Sequence, residues 1–266
     1  MSADMALWKR VEARVADSLP QFRVESIERL QNVQLLQKYE QFCWQLDATD
    51  QGDINEREAF HYAPDSVLPL ITESGSVGFD PRIGRGEYGS GTYFAEHAIY
   101  PAALAHDWLF AGIDPASFGT GGKWGGDGDD LPLGTPEEAA QIALQAELDA
   151  SPTLTLLWGR IALGHCKDFG ARCASGRGNA AADAAGMGRK LPDWPRLGGG
   201  QGMNRPPPRP EGGAHELYDS VTGSEGDLAW TQHPRLRERG GEFGRQYVTF
   251  HPDQSYPDAI LRLRRR

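Results

Sequence analysis

Apolar residues recur at helical and strand spacings along much of the chain. Near the start they follow helical intervals, with charges between them, at Trp8, Val11, Val15 and Leu19. Pro20 ends that pattern. The stretch "FRVESIERLQN" predicts a strand that runs into a helix over "VQLLQKYEQFCWQL". A short helix ended by Gly75 is predicted in "PDSVLPLITESG".

Strand signals dominate the later segments. Residues 78–95 predict a loop followed by a strand, and residues 96–110 predict a helix. A further helix is predicted over "EEAAQIALQAEL", and "TLTLLWGRIALG" at residues 153–164 suits a buried strand. "YDSVTG" and "RQYVTFHPDQSYPDAILRL" are strand-like. Because strands and helices do not alternate, the pattern predicts an α+β fold with mostly antiparallel pairing.

Two segments are rich in glycine and poor in apolar residues. We expect long loops at about 110–152 and 170–214. The second contains "RPPPRP", which could dock in an SH3-like groove, although a spacer is the interpretation we favour. The predicted organisation is an N-terminal helical extension over residues 1–20 and one domain over residues 21–266.

Composition narrows the class of protein. The 266 residues are 39% hydrophobic and 24% charged, typical of a globular protein, and charges at Lys9 and Arg10 interrupt any signal-peptide core. Three cysteines, Cys43, Cys166 and Cys173, fit a reducing compartment. We therefore expect an intracellular protein, cytoplasmic or nuclear, with no membrane association. His165, Cys166 and Cys173 match no zinc spacing, so no metal is expected.

Charge argues against general nucleic-acid binding. The net charge is −10 and the pI is about 5.2. A local exception is the C-terminal "LRLRRR", which we interpret as a solvated basic tail.

Three glycines match a nucleotide-binding spacing. Gly84, Gly86 and Gly89 form G-x-G-x-x-G, which in dinucleotide-binding folds lies between a strand and a helix. Here "GFDPRI" precedes the motif and "SGTYFA" follows it, and the latter favours a strand. The spacing is therefore a poor argument for an NAD-dependent oxidoreductase.

Several motifs together carry a more specific signal. "FRVESIERLQNVQLLQKY", "AFHYA", "GFDPRIGRGEYGSGTYFAEHAIY", "LWGRIALG", "YDSVTG" and "YVTFHPDQSYPDAIL" occur in this order. Over about residues 21–263 the chain resembles the poly(ADP-ribose) polymerase catalytic domain, above all its compact mono-ADP-ribosyltransferase members. The resemblance implies a diphtheria-toxin-like fold, an antiparallel-rich split sheet with flanking helices, that cleaves NAD⁺ and transfers ADP-ribose. The helical regulatory domain of DNA-damage-activated members is expected to be absent.

The resemblance also implies three catalytic positions. His61 matches the histidine that hydrogen-bonds ribose hydroxyls, and Tyr93 matches the tyrosine that stacks on nicotinamide. Gln246 stands where polymerising members carry Glu, so transfer of single ADP-ribose units is expected. The cofactor-binding residues implied for NAD are His61, Tyr62, Arg82, Gly91, Tyr93, Tyr100, Pro101 and Leu104.

Further departures leave an alternative open. Tyr62 replaces a family Gly, Pro101 replaces a Ser, and Leu104 lies near the position of a second stacking aromatic. The alternative is a family member without transferase activity that binds NAD or a protein. As partners we expect NAD and acceptor side chains of proteins, including its own, and we expect a monomer. A nucleic-acid acceptor stays open because the arginine-rich C-terminus could meet phosphates.

Overall fold

The computed structural model describes residues 3–49, 54–82, 84–86, 89–105, 153–171, 217–224 and 243–266. The first part holds α1 (Ala3–Ser18), β1 (Phe22–Arg29), α2 (Val33–Thr49), β2 (Glu56–His61), α3 (Leu68–Thr72), β3 (Arg85–Gly86), β4 (Gly89–Ser90), β5 (Thr92–Ala95) and α4 (Ile99–Ala105). The second part holds β6 (Thr153–Ala162), β7 (Cys166–Ala171), β8 (Ser220–Ser224), β9 (Arg245–Thr249), a 3₁₀ turn (Pro252–Gln254) and β10 (Ser255–Arg265).

The described strands build an eight-stranded sheet in the order β1-β10-β6-β2-β5-β9-β8-β7, and β3 and β4 form a separate hairpin. Every neighbouring pair of the large sheet is antiparallel except β7 and β8. The chain is therefore a mixed α/β protein with a mostly antiparallel sheet, as the sequence predicts. Between β2 and β5 the ladder has one register pair, Phe60 with Ala95. We call this contact the β2–β5 junction.

One face of the sheet is covered by α1. The helix buries Leu7, Val11 and Val15 at helical spacing, and Leu19 follows on the same side. They pack in one cluster with strand residues that include Phe22, Phe60, Trp158, Leu261 and Leu263. Trp8, predicted at the same spacing, is partly buried against this cluster. The helical period of the first twenty residues therefore identifies the correct buried face.

The opposite face has its own apolar cluster. Phe79, Phe94 and Leu157 pack there with residues of α3, and Tyr247 of β9 joins them. Helix α3 ends at Thr72 with Glu73 as its C-cap, so Gly75 lies one position further from the helix than a terminating glycine normally does. Gly75 has a φ of +84° in the turn that follows, a conformation that favours glycine.

The G-x-G-x-x-G glycines serve a hairpin. Gly86 and Gly89 face each other where β3 pairs with β4, and β5 follows instead of a helix. The Gly91 N–H donates to the Gly84 carbonyl at 3.0 Å, and a Cβ added at Gly84 would lie 2.0 Å from the Gly91 oxygen. The glycines permit close backbone approach, and the dinucleotide-binding interpretation fails, as the sequence predicts.

The C-terminal arginines do not form a solvated tail. Residues 255–265 are strand β10, paired with β1 and β6. Arg265 lies over the Phe22 ring at 5.4 Å, while Arg262 and Arg264 form ion pairs with Asp65 and Glu25. The sequence interpretation was wrong because "LRLRRR" continues a strand, in which Leu261 and Leu263 are buried and Arg265 is partly buried.

Several sequence predictions lie outside the described residues. They are the helix over residues 137–148, most of the two long loops, the "RPPPRP" segment and Cys173. Among the described helices, none combines the length and the apolar character needed to span a membrane.

Gln254 connects three segments of the second part. This side chain is 1% exposed, and its Oε1 accepts from the N–H groups of Phe250 (3.0 Å) and His251 (3.3 Å). Its Nε2 donates to the carbonyls of Ala162 and Asp219, both at 2.9 Å. All four hydrogen-bonding positions of the amide are thus used, which is what a buried glutamine requires.

Replacing Gln254 should cost stability out of proportion to its size. We expect Gln254→Leu to lower the free energy of unfolding by about 3 kcal/mol, because it strands buried backbone groups. Urea unfolding measures this, with Gln37→Leu at an exposed position of α2 as control, expected to change stability by less than about 0.5 kcal/mol. Equal effects of the two changes would contradict the role assigned to Gln254.

Candidate functional site

His61 lies at the end of β2 and is held by the neighbouring strand. Its Nδ1 lies 2.7 Å from the main-chain oxygen of Tyr93. A carbonyl oxygen can only accept, so Nδ1 carries the hydrogen, and in the neutral ring Nε2 has the free lone pair. The contact therefore fixes which ring nitrogen can accept a hydrogen bond from a ligand.

Aromatic packing fixes the plane of the same ring. The His61 ring meets Phe79 edge-on at 5.0 Å and lies tilted against Phe94 at 5.5 Å. Burial among these rings lowers the pKa of His61 below its ordinary value, while the hydrogen bond to Tyr93 opposes the shift. His61 is therefore neutral at pH 7.

Tyr93 and Gln246 occupy one face of the β5–β9 ladder. Tyr93 pairs with Val248, and Ala95 pairs with Gln246, so the two predicted residues are diagonal neighbours. Tyr93 is half-buried against Val221 and Val248. The Gln246 side chain is 5% exposed, and its main-chain oxygen accepts from the Thr222 hydroxyl at 2.7 Å. The His61 ring packs on Phe94, whose side chain points to the other face, so His61 meets Tyr93 through the backbone.

Other predicted residues gather around α4. Tyr100 is buried in the cluster beneath α1, and Tyr62 and Leu104 pack against that cluster. Pro101 is buried in α4. A Cβ added at Gly91 would lie 2.5 Å from Val248 Cγ1, so Gly91 sits directly against β9. The structure thus brings Tyr62, Tyr100 and Leu104 into one apolar environment.

Arg82 lies apart from this group in an exposed turn. Its Nε and Nη2 donate to the Asp80 carboxylate at 2.8 and 2.7 Å. The guanidinium holds the pKa of Asp80 below its ordinary value. Arg82 lies three residues after Phe79, and the Phe79 ring packs on the His61 imidazole. The turn that carries Arg82 is therefore next to His61.

An open cleft of about 440 Å³ lies on the other side of the β2–β5 junction. Its lining is strongly charged and comprises Arg14, Glu56, Arg57, Glu58, Glu96, His97 and Tyr247. Burial and the neighbouring Glu96 raise the pKa of Tyr247 to about 12. None of His61, Tyr93 and Gln246 lines this cleft, so it is distinct from the predicted site.

Arg14 reaches this region from α1. Its Nη1 donates to the Glu58 carbonyl at 2.9 Å, and its Nη2 donates to the Glu96 carbonyl at 2.5 Å. Arg14 carries no sequence signal for this role, because on the helical pattern it is one of the polar residues between buried positions. No local motif indicates a contact with residues 44 and 82 positions away.

The described residues offer no ready metal centre, since their His, Cys, Asp and Glu side chains nowhere form a group of three suited to a metal ion. Of the three residues whose spacing was compared with zinc sites, His165 and Cys166 are described and Cys173 is outside the described ranges.

Comparison with known proteins gives a partial match. Over 95 residues, 36% of this chain, the sequence is 30% identical to protein mono-ADP-ribosyltransferase PARP14 of Homo sapiens. The aligned stretch spans 5% of the length of that relative. No family model matches the chain. Part of the chain is therefore similar to a mono-ADP-ribosyltransferase, in agreement with the resemblance of its motifs.

The lowered pKa of His61 makes stability depend on pH. Below pH about 6.5 the unfolded chain protonates this imidazole more readily than the folded chain, so the free energy of unfolding falls as the pH falls. We expect His61→Gln to remove up to about 1 kcal/mol of the loss between pH 6.5 and 5.5. Chemical denaturation across this range measures it, with the exposed His165→Gln as control. Parallel pH profiles for the parent and His61→Gln would contradict the prediction.

Proposed function

We propose that this protein is an NAD-dependent ADP-ribosyltransferase that transfers single ADP-ribose units to an acceptor. The observation that carries the proposal is the 2.7 Å contact between His61 Nδ1 and the Tyr93 carbonyl, since it orients the other imidazole nitrogen for a ligand hydroxyl. The 30% identity to a mono-ADP-ribosyltransferase over 95 residues supports the same reaction class.

The reaction places particular demands on a site. Cleavage of the nicotinamide glycosidic bond passes through an oxocarbenium-like centre, as in other glycosyl transfers. Nicotinamide leaves as a neutral ring, so no general acid is required. The site instead has to hold the ribose and nicotinamide in a fixed orientation and keep water away from the reacting carbon.

His61 is suited to holding a ribose. Its Nε2 lone pair can accept from a ribose hydroxyl, and Phe79 and Phe94 limit rotation of the ring. Because the imidazole is neutral at pH 7, it adds no positive charge beside a carbon that becomes positive. In the proposed complex, His61 therefore positions the sugar without opposing bond cleavage electrostatically.

Tyr93 and Arg82 complete the proposed contacts to NAD. The half-buried Tyr93 ring offers an aromatic face to the cationic nicotinamide ring, which gains stacking and cation–π energy. Arg82 is exposed, and its bond to Asp80 leaves donors of the guanidinium to meet a phosphate.

Gln246 sets the length of the product in this proposal. Chain elongation requires a base that activates a ribose hydroxyl as nucleophile. The Gln246 amide can hydrogen-bond a hydroxyl but cannot take its proton. The Gln246 side chain is also buried beside Ala95, so we do not expect it to act through bulk water. Single-unit transfer follows, with protein side chains as the acceptors, including those of this chain.

The second candidate function is NAD or protein binding without transfer. It is favoured by Pro101, which lacks the hydroxyl of the family's Ser, and by Tyr62, whose side chain fills space where the family has Gly. Tyr62 packs against the buried cluster at α4, where Tyr100 lies. NAD binding measured by calorimetry, with no label transferred, would favour this candidate.

Transfer of label from NAD⁺ tests the proposed activity. We expect the parent protein to label itself or an added protein, and His61→Ala and Tyr93→Ala to lower the rate at least about tenfold. His165→Ala changes an exposed imidazole elsewhere and should retain the parent's rate. Labelling that survives both site substitutions would refute the assignment of the site.

Product length is a separate prediction. We expect one ADP-ribose per modified side chain, seen as a single mass increment by mass spectrometry, because Gln246 provides no base. Gln246→Leu, which stays neutral, should also give single units. Long ladders of product from the parent protein would overturn this prediction.

A further inference from the structure

On each side of the β2–β5 junction, a side chain forms hydrogen bonds that bridge the two strands. At its centre, Phe60 pairs with Ala95. At one end, the His61 imidazole bonds to the Tyr93 carbonyl. At the other end, the Arg14 guanidinium bonds to the carbonyls of Glu58 and Glu96. Two side chains thus take positions where further ladder hydrogen bonds between β2 and β5 would otherwise lie.

Arg14 is built into this position. Its guanidinium carbon lies 4.9 Å from the centre of the Trp158 ring and 5.5 Å from that of Phe60. Burial lowers the pKa of Arg14, whereas the nearby carboxylates of Glu96 and Glu58 oppose that shift. Arginine remains charged in such an environment, and its planar donors can hold two carbonyl oxygens at once. The planar guanidinium therefore suits this place.

The two bonds of Arg14 lie close to the junction. Glu58 lies two residues before Phe60 on β2, and Glu96 directly follows Ala95, the last residue of β5. The Glu96 N–H in turn donates to the Arg245 carbonyl at 3.1 Å, directly before Gln246. All three proposed catalytic residues therefore lie on strands that meet where Arg14 binds.

We propose that Arg14 is a positioning residue for the candidate active site. By holding the Glu58 and Glu96 carbonyls, it sets the distance and angle between β2 and β5, and so places the His61 imidazole against the Tyr93 carbonyl. The catalytic consequence rests on the proposed function, while the effect on His61 does not. Helix α1 thus contributes to the site through a residue that touches neither NAD nor the acceptor.

The tautomer and the pKa of the His61 imidazole test the positioning role of Arg14 directly. In the full chain, nuclear magnetic resonance of the imidazole nitrogens gives the tautomer and the pKa, and His61→Gln identifies the signal. For the parent we expect hydrogen on Nδ1 and a pKa below the ordinary value. In Arg14→Met, the Nδ1 preference should weaken and the pKa should rise toward about 6.5.

Two further variants separate positioning from general stability. Arg14→Lys keeps the charge but loses the planar pair of donors, so an intermediate His61 signal is expected. Arg160→Met removes another half-buried arginine, one that bonds Asp258 at 2.9 Å and lies over the Tyr39 and Tyr256 rings at 5.4 and 5.3 Å. It should destabilise the protein and leave the tautomer and pKa of His61 unchanged.

Two outcomes would overturn the proposal. If folded Arg14→Met, or folded Arg14→Lys should the methionine variant fail to fold, shows the parent's His61 tautomer and pKa, Arg14 does not position the ring. A His61 signal that changes equally in Arg160→Met also overturns it, because the effect would then be general.

The transfer of label from NAD⁺ provides a second test of the role of Arg14. Where the parent transfers label from NAD⁺, we expect Arg14→Met to lower kcat/KM about tenfold and Arg160→Met to lower it less than about threefold. A parent protein without transfer would refute the proposed function alone, since the His61 spectra still decide the role of Arg14.

Discussion

The two halves of the eight-stranded sheet meet at one backbone pair, Phe60 with Ala95. Four strands lie on each side of this pair, and each half has its own extensive ladder. A single pair leaves the angle between the halves poorly determined, so side chains have to complete the contact. The guanidinium of Arg14 and the imidazole of His61 do so from opposite ends. Where two neighbouring strands of the described sheet share the fewest backbone pairs, the side chains of Arg14 and His61 therefore bridge them.

Local pattern predicts many of the elements and one part of the site. Helical spacing identifies the buried face of α1, apolar composition between turn residues identifies β6, and strand-like sequence identifies β9 and most of β10. The short strands β3 and β4, and β7, were not predicted. The motifs place His61 and Tyr93 on their strands. Arg14 could not be found in this way, because its partners are main-chain carbonyls, which have no sequence signature. The solvated tail predicted for the C-terminal arginines was wrong for a related reason. Within a run of charged residues, the sequence does not indicate which side chains face the core.

The chemistry proposed for the site follows from neutral groups in apolar surroundings. His61 is kept neutral by burial, and Gln246 brings an amide where a carboxylate would be the stronger base. The charged residues instead line the cleft across the junction. A site of this kind positions a reactive cofactor and leaves the chemical driving force to the cofactor's own cationic leaving group.

The pairing of β1 with β10 has a consequence for synthesis of the chain. Phe22 pairs with Arg265, so the first strand of the sheet waits for the last one to emerge from the ribosome. At ordinary elongation rates of about 5–20 residues per second, that interval is roughly 10–50 s. During this time β1 and the apolar face of α1 lack their partner strand. Such long-range pairing slows folding and leaves the nascent chain exposed to aggregation.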